Sequence, residues 1–344
     1  TSGLAQNAAD WIREMKESRS ELDKLARTKA GRAKKDRYNT VETQYYAMLA
    51  DELIKAHDEL REAGLIDKMR DWFGPGSTAK AMMRALGIKD HLPTLDSGPP
   101  PEANHAIMSA FFGGRFEISR CGTIRQRVHT YDIASAYPYI LWQMPCLAHG
   151  RWRLVKGKGL KQAIETSRLA CVHVSRDYGD VRSWHSLPFR TKNGSIIWPR
   201  SLPGTWVWQD EYRAAMRHWP GIKTLEPWVY NTDCDCHPYA RIPELYKMRA
   251  DWGSDGRGLV LKLAMNSLYG SHAQSIGSLK FQCWIWAGNC TSGTRAMILD
   301  AIGTLPESEQ EHIFQIATDA VFSTKPLNLA KPKTNGTEHL DKPL

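Results

Sequence analysis

Apolar positions recur at helical spacing near the start of the chain. Val41, Tyr45, Met48, Leu49, Ala56 and Leu60 stand among Ala, Glu, Lys and Arg, so residues 1–70 are predicted to be mostly helical. From residue 106 the pattern shortens into β-prone runs, namely GRFEIS, RVHTYDI, ACVHVS, SIIWP, TWVWQ and IFQIATDAVFS, separated by Gly, Pro and polar clusters. Helical patterns interrupt them at 208–218, 242–252, 257–270 and 290–303. This mixture predicts an α+β fold on a mainly antiparallel sheet. WFGPGS (72–77) and LPTLDSGPPPE (92–102) are breakers. The second is taken as the boundary between a helical region, 1–105, and a sheet-bearing region, 106–344. No internal repeat is present.

Composition adds three constraints. The chain has 344 residues, enough for two domains at roughly 150 residues each. A net charge of +9 with 13 Trp, 12 Tyr and 8 Phe makes a polyanion with stackable bases a reasonable partner. Seven thinly spread cysteines suit reduced thiols in an intracellular, cytoplasmic protein better than a disulfide framework. No apolar run is long enough for a membrane span, and the start of the sequence has no signal-peptide pattern. The basic run RTKAGRAKKDR (27–37) is either a solvated loop between helices or a phosphate contact. The non-Met start and polar tail are those expected of a fragment of a longer product.

Three segments carry candidate chemistry. HTYDIASAYPYIL (129–141) delivers Asp132 at a strand end before a break at Pro138, where a carboxylate can hold a hard cation; turn or capping roles are the alternative. GRGLVLKLAMNSLYG (256–270) reads as a helix with Leu261, Met265 and Leu268 on one stripe and Lys262, Asn266 and Tyr269 on another. If it forms a hairpin with IPELYKMRADW (242–252), Lys247 or Arg249 joins Lys262 in a cationic patch suited to a triphosphate, or else in a solvated surface. HIFQIATDAVFS (312–323) reads as one buried strand through Asp319. A buried carboxylate needs a partner, and a divalent cation shared with Asp132 would supply it.

In order, YDIASAYP (131–138), KLAMNSLYG (262–270) and ATDAVFS (317–323) resemble motifs A, B and C of the family B DNA polymerases, whose usual forms are DxxSLYP, KxxxNSxYG and DTDS. FFGGRFE (111–117) resembles the family's YxGG segment, and LYKMR (245–249) its first fingers helix. Compact fingers are similar to those of the protein-primed branch. The resemblance implies a right-hand palm with a small helical fingers hairpin at about 240–270. It also implies template-directed DNA synthesis on a DNA primer-template from dNTPs. Asp132 and Asp319, with the carbonyl of Ile133, would hold two Mg²⁺ ions. Amides near Ser135 and Ala136 would meet the triphosphate, and Tyr137 would gate against the ribose 2′-hydroxyl. Arg249 and Lys262 would neutralise phosphate charge, with Lys262 as proton donor to pyrophosphate. Asn266, Tyr269 and Gly270 would line the nascent base pair, and Gly113, Gly114 and Arg115 would touch the template. A terminal protein or replication partner is a further expected associate, and the setting is then a host-cell interior if the source is viral.

The departures from the family are specific. Ala317 stands for the first carboxylate of DTDS, Ala320 for its Ser, and Ala136 for the usual Leu of motif A. A weakened or Mn²⁺-favouring catalyst is expected, with a catalytically inactive DNA-binding protein as the alternative. Tyr38 and Glu42 resemble only the late exonuclease motif, with Glu for Asp and no DxE strand before them, so residues 1–105 are at most an exonuclease remnant. Residues 320–344 are too few for a thumb, which is expected to be missing or truncated. CDCH (234–237), with Cys283 and Cys290, offers metal-ligand types at a spacing too tight for the usual Cys-x2-Cys chelate, and is not assigned a metal. The Trp-rich stretch 184–208 is read as packing, His129 as structural, and His272 has no assigned role.

Overall fold

The structure, a computed structural model, describes residues 28–329 apart from 73, 178–183, 254, 255 and 278. Two compact units are present, 28–66 with 245–263, and 67–244 with 264–329. Residues 67–105 thus belong with the sheets.

In the first unit, helix α1 (Lys29–Glu62) begins at Thr28, whose hydroxyl accepts from the Gly31 N–H at 3.0 Å. The basic run expected between helices forms the opening turns of α1 over its described residues instead. Tyr38 and Glu42 lie on this same helix, the first buried and the second half-buried. No strand precedes them among the described residues.

The second unit starts with α2 (Pro75–Ala85) and α3 (Pro101–Ser109), each opened by a proline, whose missing N–H costs nothing in a first turn. The proline cluster at 99–101 therefore launches a helix. A first sheet contains β1 (Arg115–Ile118), β2 (His129–Asp132), β9 (Ile313–Thr318) and β10 (Ala320–Ser323) in the order β1-β9-β10-β2. A second contains β3 (Arg151–Leu154), β4 (Leu169–Arg176), β7 (Leu202–Trp208) and β8 (Ile222–Asn231) in the order β3-β8-β4-β7. β5 (Phe189–Arg190) and β6 (Ile196–Ile197) form a separate hairpin. Every pairing is antiparallel. β4 reads LACVHV because it is an inner strand, largely covered on both faces.

The remaining helices are α4 (Ala136–Trp142), α5 (Leu160–Thr166), α6 (Gln209–His218), α7 (Ile242–Trp252), α8 (Gly256–His272) and α9 (Trp284–Gly303). α9 is buried on nearly every side, which its WIWAGNC…AMIL composition permits. Its Ile298, Leu299 and Ile302 share one core with Ile133 and Ala136, with Ile316 and Val321 of the first sheet, and with Val172, Val207 and Val229 of the second. The segments that carry Asp132 and Asp319 are thereby mounted on the main core.

β3, β8, α2, α3 and α5 were not legible as elements. In β8 the Lys, Glu and Pro of IKTLEPWVYN hide the alternation, yet Pro227 is tolerated and its carbonyl accepts from the Val155 N–H at 3.0 Å. The Trp-rich stretch is indeed packing, with Trp184 and Trp208 buried and Trp206 stacked on His173 at 4.7 Å. Among the described residues no helix is long and apolar enough to cross a membrane.

Candidate active site

The segment expected as one strand through Asp319 is a tight hairpin. Ala317 of β9 pairs with Ala320 of β10, leaving Thr318 and Asp319 as the two-residue turn. Thr318 takes a left-handed conformation, φ 60°, and the Asp319 N–H reaches the Ala317 carbonyl at 2.8 Å. Asp319 is half-buried at a turn, so burial in a strand is not what calls for a cation there.

What brings the two carboxyl groups together is register. Asp132 ends β2 directly opposite Ala320, and the Ile133 N–H donates to the Asp319 carbonyl at 2.9 Å. Opposed residues on antiparallel strands have Cα atoms about 4.5–5.5 Å apart, so the two aspartates spring from neighbouring backbone positions. Asp132 is exposed and makes no ion pair among the described residues. Beside them, Arg115 of β1 pairs with Thr318, and a Cβ added at Gly114 would lie 2.7 Å from the Thr318 methyl. Gly114 is thus required for the close approach of the FFGG segment to this turn. Gly113 and Gly114 are exposed.

Motifs A and B also meet. The Tyr137 ring on α4 packs against that of Tyr269 on α8, centroids 4.5 Å apart and planes tilted by 30°. Burial raises the Tyr137 phenol far above its usual range, with Tyr269, Cys290 and Asp319 adding to it, and burial pushes Tyr269 up to about 12. Both are hydroxyl groups rather than charges near neutral pH. Ser135, just before α4, is left-handed at φ 54°, and the following Ala136 is buried.

Along α8 the two stripes behave as expected. Leu261, Met265 and Leu268 are buried, Lys262, Asn266 and Gly270 are exposed, and Tyr269 is half-buried. Lys262 and Arg249 fall in the first unit, Asn266 and Tyr269 in the second. Within the first unit a side chain at Gly258 would collide with the Gly253 carbonyl. Arg257 pairs there with Glu52 and Glu59 of α1.

Arg115 is a correction. The expectation of template contact fails because its guanidinium is fully buried, 4.9 Å from the Trp198 ring centre and 5.7 Å from that of Trp184, with Nε on Glu117 at 2.5 Å. It supports the base of β1 from inside.

The residue that sequence reasoning missed is Arg295 at the middle of α9. Its Nε and Nη2 grip both oxygens of buried Glu211 at 2.7 and 2.6 Å, and its Nη1 donates to the carbonyls of Phe112 and Gly113 at 2.9 and 2.6 Å. Thr291 donates to the Phe112 carbonyl at 2.7 Å, Ser292 to Glu211 at 3.0 Å, and Cys290 to the Tyr137 carbonyl at 3.4 Å. Side chains around the middle of α9 therefore tie the FFGG segment, Glu211 of α6 and the motif A helix to this one helix. An arginine inside an apolar helix was the available signal.

His272 has a structural place. Its Nδ1 lies 2.7 Å from the Phe281 carbonyl and its Nε2 2.5 Å from the Tyr239 hydroxyl, and burial holds its pKa down to about 4. The ring is neutral, donating through Nδ1 and accepting from Tyr239. A cleft of about 580 Å³, lined by residues including His105, Phe112, His173, Arg190 and Trp206, contains no residue of the segments resembling motifs A, B and C.

A family model described as DNA polymerase type B, organellar and viral, matches residues 76–286. The span includes motifs A and B and stops before the β9–β10 hairpin. No curated protein matches the chain. Among solved structures, an orthorhombic crystal form of Phi29 DNA polymerase is similar with a TM-score of 0.53 and 14% identity, over 79% of this chain and 51% of that one. Phi29 DNA polymerase complexed with primer-template DNA and incoming nucleotides is similar with a TM-score of 0.53 and 12% identity, over 77% and 50%. Its post-translocation binary complex with primer-template DNA gives 0.53 and 14%, over 80% and 51%. The likeness is one of fold, and the chain spans about half the length of these structures.

Proposed function

Since the chain belongs to the organellar and viral type B DNA polymerases, we propose that it carries out template-directed DNA synthesis, transferring deoxynucleoside monophosphate from a dNTP to a primer 3′-hydroxyl with release of pyrophosphate. The observation that carries this reading is the register that sets Asp132 beside the Asp319 turn.

The donor set fits hard divalent cations. A carboxylate at the end of β2, another in the β9–β10 turn and the Ile133 carbonyl are oxygen ligands of the type Mg²⁺ takes, and the exposure of Asp132 leaves room for water and phosphate oxygens. When bound, such ions lower the pKa of the primer hydroxyl and offset charge on the leaving pyrophosphate. The chain's own residues do the rest. Asp132 and Asp319 would hold the cations that phosphate and hydroxyl oxygens approach. The amides of Ser135 and Ala136 donate to the triphosphate, and Arg249 and Lys262 neutralise its outer charge, Lys262 also giving a proton to pyrophosphate. Tyr137, braced by Tyr269, excludes a 2′-hydroxyl by contact. Asn266 and Gly270 line the nascent pair, and the Gly113–Gly114 turn lies along the template.

Ala317 favours a second reading, a polymerase-derived protein that holds primer-template DNA without turnover. It faces Phe116 and Ala320 across the hairpin, where the family's motif has an acid. Primer extension by the complete product in Mg²⁺ and in Mn²⁺ separates the two. Incorporation in either metal, stronger in Mn²⁺, supports synthesis; DNA binding without incorporation in both supports the second reading.

A further inference from the structure

Four metal-ligating side chains meet outside the carboxylate motifs. The Sγ atoms of Cys146, Cys234 and Cys236 and a ring nitrogen of His149 all lie within 4.8 Å of one another. We propose that they form a structural zinc site of the Cys3His type.

The topology explains the convergence. Cys146 and His149 sit in the turn between α4 and β3, while Cys234 and Cys236 follow β8. β3 and β8 are paired, with Arg151 opposite Asn231, so the two ligand pairs leave the same end of one ladder. The one-residue spacing that argued against chelation in the sequence works because residues i and i+2 of an extended chain point to the same side. Cys234 and Cys236 lie in a segment without helix or strand, where this alternation is open to them. The remaining pair comes from Cys146 and His149, not from Cys283 and Cys290, which are buried at α9.

Distances fit the metal. With Zn–S of about 2.3 Å and Zn–N of about 2.0–2.1 Å, a tetrahedron has edges of about 3.5–3.8 Å. His149 Nδ1 lies 3.5 Å from Cys146 Sγ and 3.7 Å from Cys236 Sγ. Three sulfurs and an imidazole select zinc over the magnesium expected at the aspartates. All seven cysteines of the chain are free thiols, so no disulfide competes.

The frame is anchored independently of any ion. Tyr230 donates to the Cys146 carbonyl at 3.0 Å, Trp286 to the Pro145 carbonyl at 3.1 Å, and the Leu147 N–H to the His91 carbonyl at 2.9 Å. His91 Nδ1 stands 3.3 Å from Cys146 Sγ, and the Thr232 hydroxyl donates to Cys234 Sγ at 3.2 Å, contacts of the kind that orient ligands from behind. Four protein ligands leave no open position, which marks a structural site. The ion would pin the strand-free segment 232–237 to the turn that follows the motif A helix.

Metal analysis of the full chain, purified reduced and without chelator and then dialysed against zinc, tests this. The expected result is a single zinc ion per chain, with cobalt(II) in its place giving thiolate charge-transfer and tetrahedral ligand-field bands. Cys236→Ser should weaken zinc binding by more than about 100-fold, beyond the roughly 10–100-fold typical of losing a group that only orients a ligand. Cys121→Ser, outside the cluster, should retain it, and His149→Cys should retain what His149→Ala loses. If Cys236→Ser does not fold, wild-type metal content and the cobalt spectrum still decide. Sub-stoichiometric zinc in folded wild-type protein, a cobalt spectrum without thiolate bands, or full zinc retention by a folded Cys236→Ser variant overturns the proposal.

Discussion

At the β9–β10 turn and at the middle of α9 the protein handles charge in opposite ways. Among the described residues Asp132 is exposed and makes no ion pair, beside half-buried Asp319 in the turn that strand pairing brings next to it. Arg295 is wholly buried, and Glu211 and two carbonyls meet its guanidinium from several sides. The first arrangement keeps charge available to a ligand, and the second spends it within the fold. Exposed aspartates cost little to replace in stability; a buried pair, once halved, leaves a charge in low dielectric.

That contrast can be broken by mutation. Arg295→Ala should destabilise the folded chain by about 3–5 kcal/mol, read from denaturant midpoints, because Glu211 stays buried and unpaired. An unchanged midpoint would mean that α9 does not hold the glycine turn. Next comes His272. Its pKa falls from 6.5 in the unfolded chain to about 4 when folded, so the folded state resists the proton that the unfolded chain takes up. Stability is complete above pH 6.5 and declines as pH drops toward 4, by about 3 kcal/mol in total. His272→Gln should flatten that part of the stability–pH curve.

Smaller effects belong to the site. Tyr137→Ala should relax discrimination against ribonucleotides by about tenfold, some 1.4 kcal/mol, measured as the ratio of rNTP to dNTP incorporation. Unaltered discrimination would remove Tyr137 as the gate, and with it the meaning of its contact with Tyr269. Ala317→Asp should raise Mg²⁺-supported incorporation several-fold, by about 1 kcal/mol of barrier, without a comparable gain in Mn²⁺. A fall in both metals would show that the half-buried hairpin position cannot host an acid.

The α+β class, the antiparallel pairing and the α7 and α8 helices were legible because their periodicities run uninterrupted. Residues such as Asp132 and Tyr137 stood out through motif spacing. Asp319 was found for an imperfect reason: apolar neighbours on both sides suggested a buried strand, while a two-residue turn reverses the chain at that point. The same reasoning, applied to Arg295, would have succeeded, since its helix really is enclosed. Arg115 shows the converse, a cation after a glycine pair that turns inward to tryptophans. The cysteine cluster was hidden because Cys146 and Cys234 are joined by β3–β8 pairing rather than by sequence proximity.

The direct test of the central claim is dNTP incorporation on a primed template in Mg²⁺ and Mn²⁺, comparing the complete wild-type product with Asp132→Asn. Loss of at least about a thousand-fold in rate, some 4 kcal/mol, with DNA binding and thermal midpoint retained, is the predicted result. Equal incorporation by the folded Asp132→Asn protein would contradict a reaction centred on the paired aspartates.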